Sequence, residues 1–359
     1  MRHAKRRHLL AVALAGLLPA PAMACTRVLY RGSDNVVITA RSMDWMEDMA
    51  TDLWAFPAGM TRDGAAGADT PRWTAKYGSV IAAAYNIGTA EGLNDQGLVA
   101  NALYLAESDY GSAVPGKPRL SITLWAQYAL DNFATVAEAV TALRAEPFRI
   151  AAPTLPNGSA ASLHLAISDK SGDSAIFEYI GGNLVIHHGR DYVVMTNSPS
   201  YDQQLAINRY WSGIGGTNFL PGTNRAADRY ARASFLLGAI PTEVAPAYIA
   251  GVPGHDFATQ ALASVVSVIR GVSVPLGITT PAEPIIASTI WRSAADQKNL
   301  TYMFDSATRP NVFWVSLSQL NLKAGAPSLK LPLAGGELYG GEVSGKFVPT
   351  PPFAFMPAS

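Results

Sequence analysis

Residues 22–45 read AMACTRVLYRGSDNVVITARSMDW and contain Cys25, the single cysteine of the 359-residue chain. Two runs rich in β-branched and other strand-forming residues flank a turn cluster, RGSDN, at residues 31–35. This pattern predicts a β-hairpin. The second strand of the hairpin would bring Arg41 and Asp44 back beside Cys25.

The segment before Cys25 has the composition of a secretory signal peptide. Residues 1–8 are basic and lack acidic side chains, residues 9–18 are apolar, and Ala22 and Ala24 form a small-x-small cleavage site. We therefore predict that residues 1–24 are removed on export to the periplasm or the medium, by a Sec or a twin-arginine route. The apolar run is about half of the ~20 residues that span a bilayer, so no stable membrane insertion is expected.

The composition narrows the class of protein. Hydrophobic residues make up 49% of the chain and charged residues 15%, which excludes an intrinsically disordered protein. The 27 basic and 27 acidic side chains leave no positive excess for phosphate binding, so no nucleic-acid partner is expected. A single cysteine excludes intramolecular disulfides, and His164, His187, His188 and His255 form no metal-ligand pattern with a carboxylate. We predict no metal and no cofactor.

Three interpretations of Cys25 follow from its position. A lone free cysteine is most often a small buried hydrophobe. Bacterial lipoproteins also begin at a cysteine, although Ala22 stands where that pathway prefers a branched apolar residue. The third interpretation is an N-terminal nucleophile, because an α-amine with a pKa of about 7.7–8.0 can accept the thiol proton near neutral pH. Arg41 would then lower the pKa of the thiol, and Asp44 would orient the amine.

Strand-like and helix-like patterns follow along the chain. The predicted strands cover residues 51–56, 79–85, 98–105, 162–168, 174–180, 192–196, 289–294, 300–304 and 312–317, and the predicted helices cover residues 120–145 with a break near Asn132, 225–237 and 257–270. This order predicts an α+β fold of two antiparallel sheets with helices outside. No linker divides the chain, so residues 25–359 are predicted to form one domain. Its Gly- and Pro-rich tail, from about residue 324, is expected to wrap the surface.

Five segments, in order along the chain, resemble the motifs of one enzyme family. They are Cys25-Thr26 with Arg41 and Asp44 downstream, GLVANALY at 97–104, MTNSP at 195–199, LPG at 220–222 and DRYAR at 228–232. By these segments the sequence is similar to the choloylglycine hydrolase family, the N-terminal-nucleophile amidases that include penicillin V acylases and conjugated bile-salt hydrolases. Each motif alone is short, but five in order from the predicted cleavage site are specific.

The resemblance implies a fold and a catalytic set. The fold is a four-layer αββα sandwich, and the catalytic residues are Cys25, Arg41, Asp44, Tyr104, Asn197 and Arg229. The Cys25 thiolate attacks an amide carbonyl, while its own α-amine, positioned by Asp44, carries the proton. Arg41 and Arg229 favour the thiolate, and the Asn197 side chain and the Tyr104 backbone N–H bind the oxyanion. Taken singly, residues 197–199 also fit an ordinary turn and Arg229 a solvated helix face.

The resemblance also bears on substrate and assembly. Tyr104 stands where bile-salt hydrolases carry Asn, and a Tyr at this position resembles the penicillin V acylases. The interval from Asn197 to Arg229 is short, which resembles the Gram-negative branch of the family. Trp45 and Tyr104 are the candidate substrate-binding residues, and Trp45 fits a core aromatic equally well. Members of this branch are associated with cleavage of phenoxyacetyl-penicillin and of N-acyl-homoserine lactones, a quorum-quenching activity. The resemblance implies a small amide substrate with an apolar acyl group. It also implies a homo-oligomer, which in the family is a tetramer.

Two alternatives stay open. Within the family, the chain could be a conjugated bile-salt hydrolase. Outside it, the chain could be an exported ligand-binding protein or a lipoprotein anchored at Cys25, with no chemistry at that residue. The preferred acyl length is not predicted, because the volume of the pocket depends on loops that the sequence pattern does not place.

Overall fold

The computed structural model of the chain describes residues 24–284 and 286–358, so the predicted signal peptide lies outside the described residues except for Ala24. The strands are β1 (Ala24–Arg31), β2 (Val37–Trp45), β3 (Leu53–Phe56), β4 (Thr61–Asp63), β5 (Arg72–Thr74), β6 (Ser79–Ala84), β7 (Gly88–Asn94), β8 (Val99–Tyr104), β9 (Arg119–Ser121), β10 (Arg149–Ala151), β11 (Leu163–Ser168), β12 (Ser174–Ile180), β13 (Asn183–His188), β14 (Val194–Met195), β15 (Ser288–Asp296), β16 (Thr301–Ser306), β17 (Phe313–Ser316), β18 (Leu329–Leu331), β19 (Gly341–Glu342) and β20 (Val348–Pro349). The α-helices are α1 (Trp125–Asn132), α2 (Val136–Arg144), α3 (Tyr201–Ile214), α4 (Ala226–Ala239) and α5 (Phe257–Gly271).

The predicted hairpin around Cys25 is present and lies inside a seven-stranded sheet. The strand order of this sheet is β14-β1-β2-β15-β16-β17-β19, and all of its neighbours are antiparallel except β17 and β19. In the hairpin, Cys25 lies opposite Met43 and Ala24 lies opposite Asp44. The turn uses Asp34 and Asn35 at φ angles of 54° and 57°, a conformation that Asp and Asn tolerate better than other side chains do.

A nine-stranded sheet packs against the first one. Its order is β13-β12-β11-β8-β7-β6-β3-β18-β20, and every pair is antiparallel. Helices α4 and α5 cover the outer face of the seven-stranded sheet, and α1 and α2 cover the outer face of the nine-stranded sheet. The predicted α+β arrangement of two antiparallel sheets flanked by helices is therefore confirmed.

Two hydrophobic clusters follow from the period of the strands. Val80 belongs to the cluster between the sheets, whereas its neighbour Ile81 belongs to the cluster beneath α1 and α2. Successive side chains of a strand point to opposite faces, so β6 contributes to both clusters. The sheets thus meet through an apolar layer, and Cys25 and Arg41 are buried on the face of β1 and β2 that meets this layer.

Several elements differ from the sequence-based expectation. The helical stretch breaks at Asn132 as predicted, and Thr135 and Glu138 form a capping box that starts α2. The sequence pattern did not predict α3, in which the buried side chains are only Tyr201 and Gln204, too few to form an apolar stripe. The tail also does more than wrap the surface, because β18 and β20 extend the nine-stranded sheet. Within the described residues, no helix is both long and apolar enough to cross a bilayer.

Candidate active site

The thiol of Cys25 lies in the layer between the two sheets. Cys25 is the second residue of β1 and is 2% exposed. Because Met43 is its cross-strand neighbour, Arg41 two residues earlier lies on the same face of the sheet. The Arg41 Nη2 group donates to Cys25 Sγ at 3.3 Å. The structure therefore brings together the predicted cysteine and the first predicted cation.

Arg41 is held by groups that sequence reasoning missed. Its Nε lies 3.3 Å from Glu91 Oε2, and its Nη1 donates to the backbone oxygens of Ala90 and Ala102 at 3.3 and 3.0 Å. Glu91 in turn accepts hydrogen bonds from Tyr302 and from Asn101. Every residue of β7 is buried, and a buried carboxylate such as Glu91 needs a partner, but the sequence of β7 did not predict a strand.

Asp44 lies on the opposite face of β2 from Arg41. Its carboxylate accepts hydrogen bonds from Thr289 and Ser42 and lies 3.8 Å from Arg229 Nη1. Burial raises the pKa of this carboxyl, and the charge of Arg229 opposes that rise. Asp44 faces Ala24 across the hairpin, so it lies beside the peptide bond that the predicted cleavage would break.

Arg229 reaches Cys25 from α4. Its Nη1 donates to the Cys25 carbonyl oxygen and to Thr26 Oγ1, both at 2.6 Å, and its Nη2 donates to Asn197 Oδ1 at 2.9 Å. The guanidinium is fully buried. Arg229 therefore contacts the backbone of Cys25 and the amide of Asn197, whereas the hydrogen bond to the sulfur comes from Arg41.

Asn197 connects the two sheets at Cys25. In the described chain Ala24 precedes Cys25, so the Cys25 nitrogen is a peptide N–H, and it donates to Asn197 Oδ1 at 2.5 Å. The Asn197 Nδ2 group donates to the Tyr104 carbonyl oxygen at 2.7 Å. The side chain thus bridges the start of β1 and the end of β8.

The backbone N–H of Tyr104 points away from β11. Leu105 N–H donates to Ser162 O at 3.0 Å, so Tyr104 and Leu163 form a pair without mutual hydrogen bonds. The Tyr104 N–H therefore lies on the same side of β8 as the Ala102 oxygen that accepts from Arg41. Both predicted oxyanion donors are at the end of β8.

Burial dominates the protonation of the Cys25 thiol. It raises the pKa of the thiol, and the charges of Arg41 and, more weakly, Arg229 oppose that rise. Both cations thus favour the thiolate as the sequence predicts. The net direction is nevertheless upward, because a fully buried thiolate loses its hydration.

An apolar cavity of about 70 Å3 opens next to Cys25. Trp45 and Tyr104 both line it, with ring centroids 6.4 Å apart in an edge-to-face arrangement. The Trp45 indole N–H donates to the Tyr85 hydroxyl at 2.7 Å, which fixes the ring at the wall of the cavity. The other apolar lining residues include Met43, Met49, Ile87, Ile122, Leu155 and Leu163. A second, larger cleft of about 550 Å3 shares Trp45 with this cavity and is not lined by Cys25.

The described residues offer no cluster of three or more His, Cys, Asp or Glu side chains with the geometry of a metal site. The chemical groups around Cys25 are a thiol, two guanidiniums, a carboxylate, a primary amide and backbone donors. Such a set can bind and polarise a carbonyl group beside a sulfur nucleophile.

Comparisons with known proteins agree with this geometry. Residues 25–330 match the family described as linear amide C–N hydrolases, choloylglycine hydrolase family. The chain is 48% identical over 350 residues to the penicillin V acylase of Pectobacterium atrosepticum, covering 94% of this chain and 93% of that protein. The solved structure of penicillin V acylase from Agrobacterium tumefaciens is 51% identical, with a TM-score of 0.83 over 93% of this chain and 100% of that one.

A more distant likeness concerns the fold alone. A mutant of the conjugated bile acid hydrolase from Clostridium perfringens is 18% identical, with a TM-score of 0.71 over 89% of this chain and 98% of that one. A second variant of that enzyme is 20% identical, with a TM-score of 0.70 over 86% of this chain and 97% of that one. Both share the two packed sheets.

Proposed function

Because the chain belongs to the choloylglycine hydrolase family and is an amidohydrolase acting on linear amides, we propose that Cys25 is its N-terminal nucleophile and that its substrates carry an apolar acyl group. Phenoxyacetyl-penicillin is the reference substrate, and N-acyl-homoserine lactones are the proposed natural class. The observation that carries the proposal is the apolar cavity at Cys25, whose sulfur accepts a hydrogen bond from Arg41.

The α-amine supplies the acid–base chemistry once residues 1–24 are removed. It takes the thiol proton, the sulfur forms a bond to the amide carbonyl carbon, and the carbonyl electrons move to the oxygen. Collapse of this adduct breaks the C–N bond, and the amine returns the proton to the leaving nitrogen. Water then attacks the thioester carbonyl carbon and gives a proton to the amine. The C–S bond breaks, the acid is released, and the amine returns the proton to the sulfur. Asp44, opposite residue 24, is the group proposed to position the amine.

The oxyanion of the adduct would be bound by Asn197 and Tyr104. In the described chain the Asn197 Nδ2 group donates to the Tyr104 carbonyl oxygen, and the Tyr104 N–H lies on the same side of β8. A substrate carbonyl oxygen placed between Asn197 Nδ2 and the Tyr104 N–H would receive two hydrogen bonds. Donors fixed before the reaction contribute most to the stabilisation of such a charge.

The export prediction belongs to the same proposal. Residues 1–24 have the signal-peptide composition, and cleavage after Ala24 creates the amine that the mechanism needs. We therefore place the mature enzyme in the periplasm or outside the cell. There it would meet penicillins and acyl-homoserine lactones before they enter the cytoplasm.

Conjugated bile-salt hydrolysis is the competing activity within the family. Tyr104, which stands where bile-salt hydrolases carry Asn, lines the apolar cavity at Cys25 edge-to-face with Trp45. We therefore propose the acylase activity on phenoxyacetyl and linear acyl amides.

A substrate panel on the mature enzyme tests this proposal. We expect the kcat/KM for penicillin V and for a long-chain acyl-homoserine lactone to be at least about tenfold above that for glycocholate. A factor of ten corresponds to about 1.4 kcal/mol of transition-state binding. Release of the free amine is measured for each substrate, with the Cys25→Ala variant as the blank. A glycocholate kcat/KM equal to or above that of penicillin V would contradict the assignment.

A further inference from the structure

We propose that His164 and Glu178 form a buried pair that positions Asn197 for catalysis; the inference rests on the proposed role of Asn197 as an oxyanion donor. Both side chains lie on the nine-stranded sheet and reach the segment that follows β14 of the other sheet. His164 is 1% exposed and Glu178 is 1% exposed. Neither residue touches Cys25, so both are positioning residues rather than catalytic ones.

The first contact fixes the residue before Asn197. The His164 Nε2 group lies 2.9 Å from the Thr196 carbonyl oxygen, and the Nδ1 group lies 3.0 Å from Glu178 Oε1. A carbonyl oxygen and a carboxylate can only accept, so the two bonds form together only when both ring nitrogens carry a proton. Burial alone would raise the pKa of the Glu178 carboxyl, but hydrogen bonds, the first of them from His164, lower it to about 2. The carboxylate is therefore ionised at neutral pH and accepts hydrogen bonds on both of its oxygens.

The second contact fixes the far end of the same turn. Glu178 accepts a hydrogen bond from the backbone N–H of Tyr201, the first residue of α3, with its two oxygens at 3.0 and 3.2 Å. One carboxylate therefore holds Tyr201 directly and Thr196 through His164. The residues between them, 197–200, are the turn that carries Asn197.

The middle of the turn is held from α3. Gln204 Nε2 donates to the carbonyl oxygens of Asn197 and Ser198 at 3.1 and 2.9 Å. The carbonyl oxygens of three successive residues, Thr196, Asn197 and Ser198, thus each lie within hydrogen-bond distance of a buried side chain. The backbone of Asn197 is therefore fixed on both sides, and its side chain starts from a defined position.

The placement of the pair also explains why it bears on the oxyanion site. His164 follows Leu163, the residue opposite Tyr104 in the β8–β11 ladder. β11 thus pairs with β8, which carries the Tyr104 N–H, and through His164 it binds the turn that carries Asn197. Because the two donors come from different sheets, their separation depends on contacts that cross the interface between the sheets. A displacement of about 1 Å at a reacting group can cost on the order of 100-fold in rate.

His187 provides a matched comparison for His164. It is buried beside the same carboxylate, with its Nε2 3.7 Å from Glu178 Oε2, and its ring packs at 4.9 Å from the Tyr201 ring. That separation exceeds hydrogen-bond distance, and no hydrogen bond joins the ring to residues 196–200 in the described part of the chain. Loss of either ring leaves a cavity near Glu178, but only the loss of His164 frees the Thr196 carbonyl.

The test compares His164→Leu with His187→Leu in the mature enzyme, using penicillin V. We expect His164→Leu to lower kcat by about 10- to 100-fold with KM within about twofold, because Asn197 acts on the transition state. His187→Leu is expected to change kcat by less than about threefold, since it removes packing against the Tyr201 ring but no hydrogen bond to residues 196–200. His164→Gln, which keeps one N–H donor near the Nε2 position, is expected to retain more activity than His164→Leu.

Combination with Asn197→Ala separates positioning from a general effect on folding. We expect the His164→Leu substitution to add less than about twofold in the Asn197→Ala background, because the group that it positions is gone. Equal losses for the two histidine variants, or a full additional loss in the Asn197→Ala background, would overturn the proposal. If His164→Leu does not fold, His164→Gln is compared with His187→Gln under the same criteria. Absence of turnover by the unsubstituted enzyme would instead count against the proposed function.

Discussion

The Cys25→Ala substitution is expected to reduce amide hydrolysis by on the order of 1,000-fold or more, since loss of a covalent nucleophile costs at least that much in comparable enzymes. Without the sulfur no thioester forms, and the remaining donors can only polarise the substrate carbonyl. Alanine fits the strand and keeps the small residue after the predicted cleavage site. The measurement is the initial rate of amine release from penicillin V, with thermal unfolding as the check on folding.

Cys25→Ser serves as the matched control for the chemistry of the sulfur. It keeps a hydroxyl near the position of Sγ and within reach of Arg41, but a hydroxyl is a much weaker nucleophile near neutral pH. We expect it to fold and to hydrolyse the substrate far more slowly than the unsubstituted enzyme. An enzyme that keeps its rate after Cys25→Ala would remove the cysteine from the mechanism, and an unsubstituted protein without any turnover would favour the ligand-binding alternative.

The second large effect is expected at Asn197. Asn197→Ala removes one proposed oxyanion donor and should lower kcat by about 100- to 1,000-fold, the usual effect of losing such a donor. KM is expected to change little, because the charge that Nδ2 binds develops only in the transition state. Steady-state kinetics with penicillin V measure both constants.

Asn197→Asp distinguishes this role from a structural one. The Asp side chain keeps an oxygen that can accept from Arg229 Nη2 and from the Cys25 nitrogen, but it has no N–H to replace Nδ2. We therefore expect Asn197→Asp to lose as much activity as Asn197→Ala while unfolding at a temperature closer to that of the unsubstituted enzyme. Retention of activity by Asn197→Asp would show that the oxygen of residue 197 matters and that its donor does not.

The hairpin illustrates what the sequence pattern could predict. Strand-forming runs around an RGSDN turn predict both strands, and the alternation of side chains then places Arg41 on the face of Cys25. The same alternation places Asp44 on the other face, because it follows Arg41 by three positions, an odd number. The pattern therefore predicted that the residues are close, and the structure added which side of the sheet each one occupies.

The groups that hold the proposed catalytic residues could not be predicted in the same way. Glu91 is 50 residues from its partner Arg41, and Thr289 is 245 residues from Asp44. Such contacts depend on how two sheets and a distant strand pack, and local periodicity carries no information on that packing. β7 was also not predicted, since its sequence GTAEGLN contains two glycines and few strand-forming residues.

α3 shows a related limit. Its two buried side chains, Tyr201 and Gln204, are too few to form an apolar stripe that a pattern could detect. The motif at residues 195–199 nevertheless identified Asn197 through its resemblance to a family. The catalytic role of Asn197 stays a prediction, whereas the helix that supports its turn was not predicted at all.

The most direct test of the account is the intact mass and N-terminal sequence of the exported protein. We predict a chain that begins at an unmodified Cys25, because only that chain has the free α-amine that takes the thiol proton. A chain that begins at another residue, or that carries a lipid on the cysteine, would lack the amine and would contradict the N-terminal-nucleophile mechanism.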